Sequence, residues 1–333
     1  MVAIVSYGRP TDVVACLAAL ARSSCAGFEI VVVENAGAAA FDALLAALAE
    51  NWPQSGAPTP AGTLAQPARA GARAVRWHRM VLPGRQPVLV LAAADNLGYG
   101  GGVNLALRCF AEGREWRGVW ILNPDTEPEP TALAAVIDHA ERGGYGLVGC
   151  RLVLAGQECI QMRGGTWRRL IGRGKSIGYG EPADAPADVA AVEKRLEWIS
   201  GAALYATRAF VTDVGPMNEQ YFLYCEDVDW ALRRGRFRLG YAHEAVVRHA
   251  HGTTIGSAAS IGARSDLSIY LMERNGLLLT RERFPRLFPL TALASLVLLP
   301  DYLVRGNRRA FRAAWRGWRA GMLGETGRPS GPL

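Results

Sequence analysis

Three carboxylates stand within four positions at Glu226-Asp227-Val228-Asp229. Like charges this close repel unless a cation, a metal or a shared proton resolves them. The aromatic, strand-like run Tyr221-Phe222-Leu223-Tyr224 leads into them, and an enclosed carboxylate can have its pKa raised toward general-base duty. The same residues would also start a surface helix. Acids in a first turn suit the helix dipole, Asp229 can pair with Arg233 one turn on, and Val228, Ala231 and Leu232 share one face. A second acidic group is Asn123-Pro124-Asp125-Thr126-Glu127-Pro128. Its prolines exclude a helix, and oxygen ligands on an extended turn suit a hard divalent cation, with phosphate oxygens and water filling the shell. The plain alternative is an Asx-Pro turn. His249 and His251 lie two apart at the end of an apolar run, on the same side of a strand. The run Asp95-Asn96-Leu97-Gly98-Tyr99-Gly100-Gly101-Gly102-Val103-Asn104 has the composition of a turn whose backbone can approach a phosphate at a helix N-terminus. It is not a Walker motif, since no Gly-Lys-Ser/Thr closes it.

These groups need a frame. Residues 2–7 and 28–33 are short apolar runs of buried-strand type, with a helix over 13–21 capped by Thr11 or Asp12 between them. Strand, helix and strand within about thirty-five residues make a βαβ unit with a right-handed crossover. Ligands on such a sheet sit beyond the carboxyl ends of the strands, where Ser6, Tyr7, Glu34 and Asn35 fall. A helix is expected over 41–49. Residues 51–87, rich in Pro, Ala, Gly and Arg, read as an insertion or long loop with one strand near 74–80. Further strands are expected over 88–93, 118–122, 147–154, 237–241 and 245–249, and helices over 131–142, capped by Thr131, and 264–280. Arg163, Arg168, Arg169, Arg173 and Lys175 could face substrate phosphate or solvent.

Residues 201–229 resemble the acceptor-side block of family 2 glycosyltransferases, most closely the bacterial branch that includes rhamnosyltransferases of cell-wall and O-antigen assembly. The block Asn96, Gly98, Gly101, Gly102 and Asn104, the Asn123-Pro-Asp125 turn and the downstream histidine follow in that family's order. The resemblance spans roughly residues 2–280 outside the insertion. It implies an α/β fold of GT-A type: a Rossmann-like, mostly parallel mixed sheet between helices, with a helical C-terminal extension. The expected division is 1–255 for the catalytic domain and 256–333 for the extension. The implied reaction is inverting transfer of a sugar from a nucleotide-diphosphate donor, dTDP-L-rhamnose before a UDP sugar, to a hydroxyl of a glycan or lipid-linked acceptor.

By the same resemblance Asp227 is the general base, with Glu226 or Asp229 orienting neighbouring groups. Glu34 or Asn35 would meet the pyrimidine, residues 96–104 the nucleotide. Asp125 would hold Mn²⁺ or Mg²⁺, helped by His249, with His251 second; imidazole suits Mn²⁺ better than Mg²⁺. Asn123 replaces one carboxylate of the family's Asp-x-Asp, which weakens the expected grip on metal. That substitution is also the best support for a degenerate nucleotide-binding scaffold. A nucleotidyltransferase is the other rival, with only a faint echo of its glycine-rich signature at Ser6-Tyr7-Gly8-Arg9.

Half of the 333 residues are hydrophobic, which excludes a disordered chain. The formal charge of +7 suggests an anionic partner, a nucleotide, phospholipid or nucleic acid, and does not choose among them; no nucleic acid is expected as the partner. Six scattered cysteines without Cys-x-x-Cys argue against a zinc site or a disulfide scaffold and for a cytoplasmic protein. The N-terminus shows no signal-peptide pattern. Residues 287–304 are apolar but interrupted by Pro289, Pro300 and Asp301, short of a clean spanning helix. Residues 305–319 carry six arginines and no acid, with Phe311, Trp315 and Trp318 on one helical face. That composition suits an interfacial helix on the anionic inner face of the cell membrane; the alternative is a basic helix packed on its own domain.

Overall fold

A computed structural model of the chain describes residues 1–53, 73–110, 115–250, 264–304 and 307–329. Its strands are β1 (Val2–Ser6), β2 (Ile30–Glu34), β3 (Ala74–Val81), β4 (Pro87–Ala93), β5 (Gly118–Leu122), β6 (Thr126–Pro128), β7 (Tyr145–Leu154), β8 (Cys159–Met162), β9 (Gly165–Arg168), β10 (Arg173–Ser176), β11 (Ala203–Thr207) and β12 (Arg238–His249). The helices are α1 (Pro10–Ala21), α2 (Ala38–Asn51), α3 (Gly98–Phe110), α4 (Ala132–Gly143), α5 (Val189–Arg195), α6 (Arg208–Val214), α7 (Glu226–Leu232), α8 (Asp266–Arg283), α9 (Phe288–Leu298), α10 (Asp301–Val304) and α11 (Arg308–Leu323).

One sheet organises the fold, in the order β3-β4-β2-β1-β5-β11-β7-β12-β6, with β8 branching from β7. Strands β4, β2, β1 and β5 run parallel. β11 runs against both of its neighbours, and β12 is parallel to β7. All five residues of β1 and of β2 are buried, as a parallel sheet covered on both faces requires. Alternate side chains feed two cores. Val2 and Ile4 pack with Leu17 of α1, Leu44 of α2 and Val136 of α4. Ala3 and Val5 pack on the other face with Val103 of α3, Phe210 of α6 and Trp230 of α7.

Several elements differ from the sequence expectation. Helix α1 starts at Pro10, so Thr11 and Asp12 lie inside its first turn rather than capping it; proline's fixed φ suits that first position. Thr131 precedes α4 without a side-chain cap bond. The strand expected near 74–80 is present as β3, which pairs antiparallel with β4 and forms the sheet's edge. Residues 54–72 lie outside the described residues. The two strands expected over 237–249 are one, β12, with an irregularity between Ala242 and Val246. The 221–224 run is not a strand. Glu219–Tyr221 form a 3-10 turn, and Phe222, Tyr224 and Cys225 have φ of 64°, 69° and 74°.

The C-terminal helices pack onto this frame through glycine. At Gly317 of α11 a Cβ would lie 2.2 Å from the Tyr270 carbonyl oxygen of α8, and at Gly321 one would lie 2.9 Å from that of Arg274. Only a bare backbone permits this approach. Gly317→Ala is expected to push the helices apart and cost about 1–3 kcal/mol, as overpacking does. Thermal denaturation checks it: an unchanged melting temperature would mean that α11 is not tightly docked.

Candidate active site

The carboxyl ends of β1, β2, β4 and β5 converge on the loops that carry the chemical residues. Glu34, fully buried, organises the first two. Its Oε2 accepts from Ser6 Oγ at 2.7 Å, and its Oε1 accepts from the backbone N–H of Gly8 at 2.9 Å and of Ala36 at 2.8 Å. The carboxylate is therefore committed to the protein, while Tyr7 beside it is exposed. Asn35 Nδ2 donates to the Gly98 carbonyl at 2.8 Å, tying the end of β2 to the glycine-rich turn. Its Oδ1 is buried and has no hydrogen-bond partner, so it is a free acceptor in this region.

The glycine-rich turn is packed by protein. Asn96 Oδ1 accepts from Gly98 N–H at 3.0 Å and shapes the turn. Gly98 has φ +71°, and a Cβ there would strike the Phe222 carbonyl oxygen at 2.1 Å. A Cβ at Gly102 would strike Val5 at 2.6 Å, and one at Gly101 would strike Leu97 at 2.8 Å. These glycines let α3 lie close to β1 and to the 217–225 segment. Asn104 does the same by hydrogen bonds: Nδ2 donates to the Met217 carbonyl at 2.9 Å and to Glu219 Oε1 at 3.0 Å, and Oδ1 accepts from Met217 N–H. In the structure the polar residues of this block bind protein.

Asn123, Asp125 and His249 meet at the end of β5, because β6 pairs with the end of β12. His249 Nε2 lies 3.2 Å from Asp125 Oδ1 and 3.4 Å from Asn123 Nδ2. Its Nδ1 lies 2.8 Å from Gln161 Oε1 on β8. As the amides are assigned, both ring nitrogens face an oxygen acceptor. A neutral imidazole donates through one nitrogen only. With Nδ1–H donating to Gln161, either a second ring proton or a cation resolves the contact between Nε2 and Asp125. One carboxylate and one imidazole, oriented by an outer amide, fit a divalent ion that takes its remaining ligands from diphosphate and water. Among the described residues no group of three or more His, Cys, Asp or Glu forms a self-sufficient metal site. His251 lies outside the described residues.

Asp227 and Glu226 begin α7. Asp227 is half-buried; its Oδ2 accepts from Gly201 N–H at 3.0 Å and its Oδ1 from Val228 N–H at 2.8 Å. Burial raises its pKa above the ordinary carboxylate value, while these backbone bonds pull the other way. Glu226 is buried, and its Oε2 has no hydrogen-bond partner. Burial and then the charge of Asp227 hold its carboxyl well above the usual range. Asp229 is committed elsewhere, to Arg233 Nε at 2.8 Å and Arg283 Nε at 2.7 Å. Tyr99, which the sequence did not single out, donates its hydroxyl to the Gly201 carbonyl at 2.6 Å. Burial first, then the charges of Glu226, Asp227 and Asp125, pushes that phenol well up. One ring thus stands among all three carboxylates.

Asp227 follows the left-handed residues of the 222–225 segment, and α8 holds that segment. Asn275, fully buried, donates its Nδ2 protons to the carbonyls of Tyr221 at 3.0 Å, Leu223 at 2.8 Å and Tyr224 at 2.8 Å. Arg274 Nη2 adds a bond to the Tyr221 carbonyl at 2.9 Å, and its Nε donates to Asn275 Oδ1 at 2.9 Å. Tyr224 Oη meets Ser268 Oγ at 2.7 Å. Of the basic residues between 163 and 175, Arg163 pairs with Glu181, Arg169 with Glu197 and Arg173 with Glu273, so these three are held by protein.

No family model matches the chain. It is similar to the N-acetylglucosaminyl-diphospho-decaprenol L-rhamnosyltransferase of Mycobacterium tuberculosis: 29% identical over an alignment of 216 residues, covering 56% of this chain and 68% of that protein. It is also similar to the low-salt glycan biosynthesis hexosyltransferase Agl10 of Haloferax volcanii, 23% identical over 199 residues, covering 58% of this chain and 60% of that one. Among solved structures it is similar to the mannosyltransferase PcManGT from Pyrobaculum calidifontis in complex with GDP-Man and Mn²⁺ (TM-score 0.51, 14% identity, 100% of this chain and 75% of that one). A second is GalNAc-T7 with UDP, GalNAc and Mn²⁺ (TM-score 0.53, 11% identity, 83% of this chain and 50% of that one). The fold is that of the GT-A glycosyltransferases. The sequence relatives, named rhamnosyltransferase and hexosyltransferase, agree with the resemblance to family 2 that the motifs carry.

Removing the Asn275 amide leaves three buried carbonyls without that donor. At about 1 kcal/mol per bond, Asn275→Ala is expected to cost roughly 2–3 kcal/mol in chemical denaturation. Wild-type stability in this variant would show that the segment holds its shape without α8.

Proposed function

We propose that the chain is an inverting glycosyltransferase that moves a sugar from a nucleoside-diphosphate donor to a hydroxyl of a glycan or lipid-linked acceptor. A dTDP-L-rhamnose donor is the first choice, given the rhamnosyltransferase relative, and a UDP sugar the second. The observation that carries the reading is the half-buried Asp227 carboxylate, fixed by two backbone N–H groups, with the buried Tyr99 phenol feeling both its charge and that of Asp125, the partner of His249.

In this reading Asp227 takes the proton of the acceptor hydroxyl. The acceptor oxygen bonds to the anomeric carbon from the face opposite the diphosphate. The bond from that carbon to the diphosphate oxygen breaks, and its electron pair leaves with the nucleoside diphosphate. One in-line displacement inverts the centre, so a second flanking carboxylate of the glycosidase kind is not needed. Asp125 and His249 would hold a divalent ion, which would supply Lewis-acid neutralisation of the leaving diphosphate. Gln161 fixes the His249 ring. Tyr99 and the Gly201 backbone hold the wall between the two groups. Buried Glu226, whose carboxyl is pushed well up by burial and then by the charge of Asp227, stands next to the base in this reading. The nucleotide crosses the ends of β1 and β2, where Tyr7 is exposed. A lipid-linked acceptor places the reaction at the cytoplasmic face of a membrane.

Asp227→Asn keeps the shape and removes the base. Transfer is expected to fall about 10²–10⁴-fold with donor binding nearly intact. Because burial raises the Asp227 pKa, wild-type activity should fade as the pH drops through a value above the ordinary carboxylate range. Turnover of dTDP-rhamnose or a UDP sugar, followed by nucleoside-diphosphate release across pH, measures both. Near-normal turnover by folded Asp227→Asn protein sinks the assignment, and release of pyrophosphate would indicate a nucleotidyltransferase instead.

Asp125→Ala leaves His249 and Asn123 without a carboxylate at the ion's place. Donor binding by calorimetry with and without Mn²⁺ is expected to lose its metal dependence. Unaltered metal dependence would move the ion to other residues.

A further inference from the structure

Helix α9 turns one face inward and the other outward. Thr291, Ala292 and Ser295 are buried against the domain, and Leu299 and Tyr302 pack with Ile269 of α8 and Ala310, Ala313 and Ala314 of α11. The outward face is apolar. Leu290, Leu293 and Val297 are 57%, 60% and 68% exposed, and their spacing places them on one stripe of α9; Val304, 84% exposed, ends the following helix α10. Residues 285–304 are long and apolar enough to cross a membrane, yet 28% of that stretch is buried in the protein. The inward face is held by protein contacts, so the stretch has one side to offer, not a whole circumference.

Helix α11 divides in a complementary way. Ala310, Ala313, Ala314, Gly317, Ala320 and Gly321 are buried against α8. Phe311 and Trp318, expected from the sequence to insert into lipid, pack instead on the protein. The Trp318 indole N–H donates to the Ala292 carbonyl of α9 at 3.0 Å. Trp315 stacks on Trp318 at 5.6 Å and remains exposed. Arg308, Arg309, Arg312, Arg316 and Arg319 all lie on the exposed side. Four of them and Trp315 line one shallow cleft, in which Asp266 pairs with Arg309 at 2.7 Å.

We propose that the outward stripe of α9, with Trp315 and the arginine face of α11 beside it, is a docking surface for the interface of an anionic lipid bilayer. An isolated apolar stripe could be covered by many partners. This one adjoins, through Trp315 on Trp318 and Trp318 on α9, a face of five exposed arginines. A bilayer surface pairs hydrocarbon with anionic phosphate in that way, and apolar side chains with cations beside them suit it. The cleft takes a headgroup phosphate, while Leu290, Leu293 and Val297 enter the acyl boundary. The inference stands apart from the donor and acceptor proposed above, since it rests on the surface alone.

The test is co-sedimentation of the full chain with phosphatidylcholine vesicles, with and without phosphatidylglycerol. Free inorganic phosphate is added in one arm to separate a headgroup site from a simple anion site. Wild type is expected to sediment with anionic vesicles, to be released only in part by high salt, and to be little affected by millimolar phosphate. Leu293→Asp/Val297→Asp is expected to lose at least about ten-fold in partitioning with an unchanged melting temperature, since both side chains are exposed. Arg308→Gln/Arg312→Gln is expected to lose roughly 30-fold on anionic vesicles, from the contribution of each arginine near such a surface, and little on neutral ones. Three results would overturn the proposal: wild type remaining in solution with anionic vesicles, both variants sedimenting like wild type, or full displacement by phosphate. Light scattering adds a fourth. If wild type is a dimer and the α9 variant a monomer with vesicle binding intact, a second copy of the chain covers this face instead.

Discussion

The bonds from Asn275 to the carbonyls of Tyr221, Leu223 and Tyr224 are what the placing of Glu226 and Asp227 depends on. Residues 222, 224 and 225 sit in the left-handed region without being glycine, a conformation that costs free energy and persists where surroundings over-determine it. Asn275 and Arg274 supply that over-determination from α8. The left-handed path lets the chain reverse sharply into α7, so that Glu226 and Asp227 begin a helix facing Gly201 rather than solvent. The Phe222 carbonyl also accepts the Tyr99 N–H at 2.7 Å, and the same oxygen excludes any side chain at residue 98. The glycine-rich turn and the acidic segment are therefore built against each other, and neither is shaped alone.

The arrangement of these two carboxyls opposes stability. Glu226 and Asp227 both have folded pKa values raised above those of the unfolded chain. Ionising them therefore works against folding. The penalty is absent below their unfolded pKa values and grows as the pH rises toward the folded ones. The backbone N–H groups of Gly201 and Val228 limit it for Asp227, whereas Glu226 has no such help at Oε2. The upward push is therefore the stronger on Glu226, where the charge of Asp227 adds to burial.

Much of this frame was legible in the sequence because it is written locally. The β-branched runs at Val2–Ser6 and Ile30–Glu34 are buried on both sides and read as parallel strands, and the residues at their ends fall where open α/β sheets bind ligands. Where the sequence misled, the cause was distant in the chain. The aromatic run at 221–224 has strand composition, but bonds from residues fifty positions later turn it left-handed. The glycines at 98, 101 and 102 have the pattern of a phosphate loop, while their missing side chains are accounted for by Phe222, Leu97 and Val5. Gln161 carries no motif at all. Its role follows only from β8 lying beside β7, which brings it to His249. The pairing of Asp229 with Arg233 one turn on was legible in the sequence, whereas its second partner, Arg283, is distant in the chain.

The segments on either side of residue 255 are separate in order but not in mechanics. Helix α8 holds the segment that aims Asp227, and its other face receives α11 at glycine contacts and α10 through Tyr302, whose hydroxyl donates to Glu273 at 2.9 Å. Arg173 of β10 meets the same Glu273 carboxylate. The outward faces of α9 and α11 therefore rest on the helix that braces the 222–225 turn, with one layer of packing between them. A force on those faces acts first on α8. Rigid cores transmit such displacement rather than absorb it, and Asn275, fixed at three carbonyls, has no slack with which to decouple the turn from the helix.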